Sequence, residues 1–460
     1  MEGSNDVVSG NALVTEPVPP LIRQLAIPAG TGFLFNTLYN VIDSVYAGLW
    51  STEALAALGA SFPVFFLIIA TMAGFGQGAT GLMARALGAD DRERARAIYG
   101  QALLVAVVLG IGVSILGIAV SVPVLSFLGL AEETRDLAAD YLLPVMLAAP
   151  FFLANSVVNG LLTAQGNTRT YRNALIVGCI ANIGLNPLFM FGFGLGVSGI
   201  AWATALVQVA TLVYLLAVSR RNALGRPGAI RLQGRLLADL AAQSLPPIGN
   251  LTLIGISIFT ITAFVAGHGD AAVAAYSVAL RIEQLFMLPT YGLSSAALSL
   301  VGNNFGAGRN DRIALILRTT SHYGLLVMGT GAVVILLFRE PLMLVFSRDP
   351  AVVAIGAQYL LAAAMIQIAY LVTMLGGSTL QGIGQPIWGL YVTIGRSLVA
   401  PLVVLTLVDT VLGLGLTGIF WSLVVINWTA ALVMVMILRW RLKCDCGFGF
   451  GAVAQAGRAA

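Results

Sequence analysis

Charged residues are scarce in this chain. Only 10% of its 460 residues are Asp, Glu, Lys or Arg, whereas 58% are hydrophobic and the mean hydropathy is +0.92. Soluble domains carry about 25% charged residues. Cysteine is also rare, and Cys179, Cys444 and Cys446 provide neither a disulfide framework nor the partner ligands of a zinc site. These absences exclude a soluble domain and predict an all-α protein that crosses the bilayer many times.

Sites of enzymatic chemistry are lacking as well. No nucleophile–base pair, phosphate-binding loop or metal-ligand cluster stands in the loops between apolar segments. We therefore expect no enzyme activity, no cofactor and no metal centre. The net charge of +4 comes from basic residues spread over many loops, so we also expect no nucleic-acid partner.

Twelve apolar segments predict twelve membrane-spanning helices. Their approximate bounds are 21–49, 54–85, 97–122, 138–163, 171–193, 197–219, 239–267, 272–303, 314–338, 352–382, 389–411 and 415–440. The polar residues 1–20 predict a disordered tail, and residues 441–460 form a second tail. Because the number of crossings is even, both termini lie on one side of the membrane.

Arginine and lysine in the connections predict which side that is. The basic residues on the side of the termini are Arg85, Arg92, Arg94, Arg96, Arg169, Arg172, Arg220, Arg221, Arg226, Arg231, Arg235, Arg309, Arg312, Arg318, Arg439, Arg441, Lys443 and Arg458. The opposite side holds only Arg135, Arg339 and Arg348. This asymmetry predicts a plasma-membrane protein with both termini in the cytoplasm.

The chain also repeats itself. A shift of 218 residues places Pro28 on Pro246 and Gly74 on Gly292 within a long stretch that aligns without a gap. Each copy has six spans, so the two copies share one orientation. We therefore predict two six-helix lobes related by a pseudo-two-fold axis along the membrane normal. The N-terminal lobe comprises residues 21–219, the cytoplasmic linker 220–238 and the C-terminal lobe 239–440.

The first apolar segment contains a carboxylate. Asn36, Asn40 and Asp43 are spaced i, i+4 and i+7, which predicts one polar, water-lined helix face. An acidic residue inside a span is costly and by default functional, although a neutral Asp bonded to a neighbouring helix is the alternative. In the second copy the same three positions are all isoleucine: Ile254, Ile258 and Ile261. Ion-handling chemistry is therefore expected in the N-terminal lobe, where Asp43 would bind the coupling ion.

Polar residues of two further spans lie at the depth of Asp43. Asn182 and Asn186 are spaced i, i+4 on the fifth span, and Thr204 lies about seven residues into the sixth. Each alone is typical of an interhelical hydrogen bond. Their common level with Asp43 predicts one polar cluster. Pro187 frees a backbone carbonyl in the preceding turn, which would help to hydrate or coordinate the cluster.

Other polar positions leave alternatives open. The fourth span carries an i, i+4 pair, Asn155 and Asn159. These residues either line a cavity or pack against neighbouring helices. Glu283 forms a structural or snorkelled pair with Arg281, or else is a second ion-coupling residue. Pro28 lacks an N–H group, so we expect it to weaken the first helix near its cytoplasmic end.

Four stretches carry a family resemblance. They are PAGTGFLFNTLYNVIDSVYAGLW, ALGASFPVFFLIIATMAGFGQGATGLMARALGADD, NIGLNPLFMFGFGLGVSGIAWATA and AYSVALRIEQLFMLPTYGLSSAALSLVGNNFGAG. Over about residues 21 to 440 the chain resembles the multidrug and toxic compound extrusion (MATE) transporters, and is similar to their prokaryotic branch of DNA-damage-inducible F proteins. The resemblance implies a central cleft between the lobes, alternating access, and export of organic, often cationic, compounds in exchange for H⁺ or Na⁺.

The resemblance also implies roles for particular residues. It places the family's first-helix carboxylate at Asp43, which would bind either H⁺ or Na⁺. The family's supporting residues fall on Tyr39, Asn182 and Thr204, and its kinking proline falls on Pro28. The branch usually has an aspartate where this chain has Asn186, so this chain lacks the second carboxylate of a two-carboxylate scheme. The family's helix-seven glutamate is also missing, so we expect no C-lobe Na⁺ site built on it.

A second function is weighed against export. Lipid-linked oligosaccharide flippases of the same superfamily need a strongly basic cavity, whereas only Arg281 and Arg396 lie away from the ends of the apolar segments here. The antiporter is therefore favoured. We expect it to act as a monomer in the lipid bilayer on small organic substrates.

Overall fold

The computed structural model describes residues 11–127, 130–226 and 232–447. All regular structure in these ranges is helical. The α-helices are α1 Ala12–Thr15, α2 Val18–Trp50, α3 Thr52–Gly88, α4 Arg92–Phe127, α5 Glu132–Leu147, α6 Ala149–Ala164, α7 Arg169–Pro187, α8 Val197–Ser219, α9 Gly234–Ala266, α10 Asp270–Gly306, α11 Asn310–Leu344, α12 Pro350–Gly382, α13 Ile387–Ile394 and α14 Gly415–Cys446. A 3₁₀ turn, Ala223–Gly225, lies in the linker.

Two helices continue as wider π-helical turns. Helix α7 runs into Leu188–Gly192, and α13 runs into Gly395–Val399 and then Pro401–Val411. Proline stands at the last residue of α7 and at the first residue of the Pro401–Val411 turn. Because proline has no N–H and its ring crowds the carbonyl four residues earlier, a widened turn relieves the clash.

The twelve predicted spans are confirmed, with one difference. Eleven helices are long and apolar enough to cross a membrane, and the pair α5–α6, bent by 44°, supplies the twelfth. The predicted single span 138–163 is thus broken at Ala148. Pro150 cannot donate a backbone hydrogen bond to Met146 O, and the Ser114 hydroxyl donates to that carbonyl instead at 2.5 Å.

The twelve spans form two lobes. Helices α2–α8 build the N-terminal lobe with one large apolar core, and α9–α14 build the C-terminal lobe with two further clusters. One of these two clusters also includes Leu21, Ile22, Leu25 and Ala26 of α2. The lobes meet where α2 packs on α10 and where α3 packs on α9 and α10. We call this contact the seam.

Glycines allow the seam to close tightly. A Cβ atom on Gly292 of α10 would clash with Ala26 O and Gly30 N of α2, and one on Gly74 of α3 would clash with the backbone of Ile248 in α9. Small residues permit such close backbone approach between helices in membranes. The two lobes are therefore in direct backbone contact along this part of the seam.

Polar bonds join the lobes at one end of the seam. Ser299 Oγ donates to Thr163 O at 2.7 Å, and Asn303 Nδ2 donates to Ala164 O at 3.0 Å. Arg85 Nη1 donates to Gln381 O at 3.0 Å. We call this end, where residues 11–18, 89–91, 307–309 and Cys446 lie, the basic end; the molecule is closed here.

The predicted disordered tail 1–20 is partly wrong. Residues 1–10 lie outside the described residues, but residues 11–20 are ordered. Asn11 Nδ2 donates to Asn303 Oδ1 at 2.7 Å, and Leu13 O accepts from Asn304 Nδ2 at 3.0 Å. Leu13 itself is buried. The segment orders because it supplies partners to buried amides of α10, a tertiary effect that local composition does not report.

The last helix also extends past its apolar run. Helix α14 ends at Cys446, so the predicted tail 441–460 begins as helix, while residues 448–460 lie outside the described residues. Leu442 and Cys446 are buried against the C-terminal lobe. Arg441 and Asp445, spaced i, i+4, form an ion pair at 2.9 Å on the same turns.

Candidate functional site

Asp43 lies in a closed polar cluster within the N-terminal lobe. Its carboxylate is 4% exposed. Oδ1 accepts hydrogen bonds from Asn182 Nδ2 at 2.6 Å and from Asn186 Nδ2 at 2.9 Å. Oδ2 accepts from Thr204 Oγ1 at 3.5 Å. We call Asp43, Asn182, Asn186 and Thr204 the Asp43 cluster. The sequence indicates a shared depth for Asp43, Asn186 and Thr204, and Asn182 joins them from the preceding turn of α7.

Local structure explains how three helices converge on this carboxylate. Asn182 and Asn186 project from one face of α7, which packs against both α2 and α8. Pro187 leaves the carbonyl of Ile183 without its helical donor, and Tyr46 OH of α2 donates to that oxygen at 2.8 Å. The freed carbonyl therefore joins α7 to α2. We had expected it to help hydrate or coordinate the Asp43 cluster, but it accepts the Tyr46 hydrogen bond instead.

Two tyrosines flank the Asp43 cluster. Tyr39 lies one turn before Asp43 on α2, and its buried hydroxyl makes no well-aligned hydrogen bond with a described residue. Tyr141 of α5 is buried and interacts electrostatically with Asp43. Sequence reasoning missed Tyr141, although its alignment with Tyr359 across the internal repeat marks it as a position of interest.

Asn36 and Asn40 do not belong to this cluster. Both side chains are exposed, and Asn40 Nδ2 donates to Asn36 O within the same helix at 2.9 Å. The expectation that all three polar residues share one wet face is therefore wrong in this conformation: Asp43 is buried and the two asparagines are not. Spacing predicts a shared direction, but seven residues separate Asn36 from Asp43 by about 10 Å along the axis.

Two acceptors inside the cluster are unused. Asn182 Oδ1 and Asn186 Oδ1 are buried and receive no hydrogen bond from a described residue. Each amide therefore donates to Asp43 while its own oxygen is free. Buried acceptors without a donor cost free energy, so they mark a place where a further donor or a cation is favourable.

The C-terminal lobe holds a second buried carboxylate. Glu283 of α10 is 1% exposed, and Oε2 accepts a hydrogen bond from Tyr359 OH at 2.5 Å. The expected pair with Arg281 is not formed, because residues two apart on a helix point in different directions and Arg281 is exposed. Glu283 is thus held by a tyrosine of α12.

Aromatic and polar groups surround Glu283. Tyr276 packs edge to face on Tyr359 with ring centroids 5.0 Å apart. The guanidinium of Arg396 lies 5.3 Å from the centre of the Tyr370 ring and interacts electrostatically with Glu283. Sequence analysis noted Arg396 as an arginine inside an apolar segment but did not pair it with this carboxylate.

The asparagines of the fourth span divide between two environments. Asn155 is buried, and its Nδ2 donates to Gln208 Oε1 at 2.8 Å and to Gln208 O at 3.0 Å. It therefore joins α6 to α8, which favours the packing alternative. Asn159 is half-buried, and Thr163 Oγ1 lies 3.5 Å from its Oδ1.

Twelve spans in two lobes, with carboxylates buried inside them, are typical of a polytopic membrane transporter. The family model described as MatE matches residues 28–188 and 246–406, so the chain belongs to the MatE family, whose members are transporters and not enzymes. The second matched segment begins 218 residues after the first, which is the offset of the internal repeat.

Three known proteins show how far this similarity extends. The multidrug export protein MepA of Staphylococcus aureus is 25% identical over 90% of this chain and 92% of its own length. A protein named FAD transporter from Shewanella oneidensis is 28% identical over 76% of this chain and 79% of its own. A solved structure described as the outward-facing conformation of a multidrug resistance MATE family transporter has a TM-score of 0.90 at 26% identity, covering 95% of this chain and 98% of that one.

Proposed function

We propose that this transporter is a secondary antiporter that exports organic, often cationic, compounds in exchange for H⁺ or Na⁺ and that Asp43 is its coupling residue. The observation that carries the proposal is the position of Asp43, buried among three side-chain donors of α7 and α8. The proposal places the basic end in the cytoplasm, because most arginines of the connections are there. It also takes the chain to work as a monomer without a cofactor.

The Asp43 cluster suits both protonation states of the carboxyl group. When ionised, Asp43 accepts from Asn182, Asn186 and Thr204, which are all donors here. When protonated, the carboxyl group becomes a donor, and the unused oxygens of the two asparagines are buried acceptors nearby. The same oxygens, together with the carboxylate, are the ligands that a hard cation such as Na⁺ prefers.

The position of the cluster suits alternating access. Asp43 lies seven residues before the end of α2 at Trp50, far from the basic end where the lobes are closed. In this conformation an ion would therefore reach the cluster from the opposite side of the membrane. Ion binding then changes the charge that α2 presents to α7 and α8, and a ligand that binds one arrangement better shifts the equilibrium towards it.

Similar proteins suggest the range of substrates to test. One is named a multidrug export protein and another an FAD transporter. FAD carries negative phosphates, so a substrate panel for this chain should include anionic as well as cationic compounds. Arg281 is exposed and Arg396 lies against Tyr370, so these two arginines do not form the shared basic cavity that a flippase of lipid pyrophosphates needs.

Transport by the Asp43→Asn variant tests the proposal. The variant keeps the shape of the side chain and removes its titratable charge, so we expect normal folding but loss of gradient-driven export. Export should be measured in proteoliposomes of equal protein density, first under a pH gradient and then under a Na⁺ gradient. Ser44→Ala, on the neighbouring exposed position of α2, is the control and should export at the wild-type rate. Wild-type export by Asp43→Asn would place the coupling site elsewhere, with Glu283 the next residue to examine.

A further inference from the structure

A groove crosses the seam on the outer surface of the lobes. It encloses about 520 Å³ between α2 of the N-terminal lobe and α10 and α11 of the C-terminal lobe. Its lining is mostly aliphatic and includes Ile27, Thr31, Leu34, Pro289 and Leu326. Ile27 is 64% exposed and Leu326 is 56% exposed, so the groove opens to the surroundings of the bundle. In a membrane those surroundings are lipid.

A second cavity continues this groove towards the basic end. It is a shallow, open depression of about 600 Å³ that shares Arg23 and Ile27 with the first. Arg169 and Arg172, at the start of α7, complete its charged lining, and no acidic residue lines either cavity. None of the three arginines forms an ion pair with a described residue, and Arg172 bonds only to the neutral side chain of Asn173, at 2.7 Å. Three positive side chains and no acidic one therefore line this part of the surface.

We propose that the two cavities together bind one anionic phospholipid, with its phosphate among Arg23, Arg169 and Arg172 and an acyl chain in the groove. Basic pockets at helix ends bind anionic headgroups, and guanidinium groups match the geometry of phosphate. From Ile22 to Leu34 the groove follows twelve residues of α2, about 18 Å at 1.5 Å per residue. Half of a hydrocarbon core about 30 Å thick is similar in length, so the groove fits one leaflet.

The bound lipid would act on the conformation of the transporter. Its chain would touch α2 on one side and α10 and α11 on the other, so the complete site exists only while the lobes are together at the basic end. A ligand that binds one conformation preferentially stabilises it. The lipid should therefore favour the arrangement described here. This consequence rests on the proposed alternating access, whereas lipid binding itself does not.

Thermal unfolding and native mass spectrometry of the purified full chain in detergent test the site. We expect phosphatidylglycerol to bind and to raise the melting temperature more than phosphatidylcholine or inorganic phosphate does. Replacing Arg23, Arg169 and Arg172 together by Gln should weaken phosphatidylglycerol binding at least tenfold. Ile27→Trp, which fills the groove and keeps every charge, should weaken it as well. Arg235→Gln, at the start of α9 and outside both cavities, is the matched control and should bind as the wild type does.

Three results would overturn the proposal: equal stabilisation by phosphatidylcholine, full stabilisation by inorganic phosphate alone, or wild-type affinity of the triple variant for phosphatidylglycerol. Equal stabilisation by phosphatidylcholine would mean that the groove binds lipid whatever its headgroup. Full stabilisation by inorganic phosphate would mean that the arginines bind an anion without any contribution from the acyl chain. Asp43→Asn separates this proposal from the coupling proposal, because it should bind phosphatidylglycerol normally whether or not it transports.

Discussion

At the scale of single residues, Tyr359 donates the one described hydrogen bond to the buried carboxylate of Glu283. Tyr359→Phe removes the donor and leaves that carboxyl group with no described hydrogen bond in the lobe core. An unsatisfied buried polar group costs about 1–3 kcal/mol, so the variant should melt at a lower temperature in detergent. Glu283→Gln should cost less and should reduce gradient-driven export less than Asp43→Asn does.

A double-mutant cycle checks this reading of Glu283. If the hydrogen bond is the reason for the loss, Tyr359→Phe should cost less stability in a Glu283→Met background, which offers no oxygen acceptor to the hydroxyl, than in the wild type. Equal costs in both backgrounds would show that Tyr359 acts through its ring packing on Tyr276 and Phe420, and not through its hydroxyl.

Residue spacing predicted the Asp43 cluster better than it predicted the polar face of α2. Counting residues from the helix ends placed Asp43, Asn186 and Thr204 at one depth, and the structure brings them together. The same counting cannot tell which side chains a neighbouring helix covers. Asn36 and Asn40 are exposed whereas Asp43 is buried against α7 and α8, and such tertiary contacts are not encoded in the period of one helix.

At the scale of secondary-structure elements, Pro28 is the position where α2 should bend. Helix α2 continues through Pro28 here, but the turn before it lacks one backbone hydrogen bond. Pro28→Ala restores the N–H and should stiffen the helix. We expect this variant to slow transport in proteoliposomes while its expression and melting temperature stay near or above the wild-type values.

Another intramembrane proline provides the comparison for Pro28. Pro123 lies inside α4, is exposed and is remote from the seam, so Pro123→Ala should leave transport unchanged. Unchanged transport by Pro28→Ala at equal protein density would contradict a hinge at this point of α2.

Element types were predictable from sequence, but breaks and ends were not. Long apolar runs indicate spans because lipid leaves helices as the only single-segment solution. At the break between α5 and α6, Pro150 cannot donate to Met146 O, and the hydroxyl of Ser114, a residue of another helix, donates to that carbonyl instead. The order of residues 11–16 depends likewise on amides of α10, so local composition alone predicted a disordered tail.

At the scale of the whole molecule, glycine sets how closely the lobes approach. Gly292→Ala would place a methyl group against the backbone of α2 at Ala26 and Gly30. We expect the lobes to separate at the basic end, shifting the population away from the closed arrangement. Spin labels attached to cysteines introduced at Glu93 of α4 and Arg318 of α11, in a background without the native cysteines, report the distance between the lobes. Double electron–electron resonance should show a longer distance for Gly292→Ala than for the wild type.

A glycine with free space around it is the control for this shift. A Cβ on Gly329 of α11 meets no atom within 4 Å, so Gly329→Ala should leave the distance distribution unchanged. The role of glycine at the seam would be refuted if Gly292→Ala and Gly329→Ala gave the same distribution.

The polar bonds of the basic end have a consequence for how reversibly it opens. Ser299, Asn303 and Arg85 all donate across the seam to backbone carbonyls, and water can replace each of these bonds when the lobes part. A bond exchanged in this way contributes only about 0.5–1.5 kcal/mol net, whereas separating a dry aliphatic contact costs about 25 cal/mol for every Å² exposed. Under the proposed alternating access, these replaceable bonds therefore add little to the free energy needed to open the basic end, and most of that free energy is needed to separate the apolar contacts of the seam.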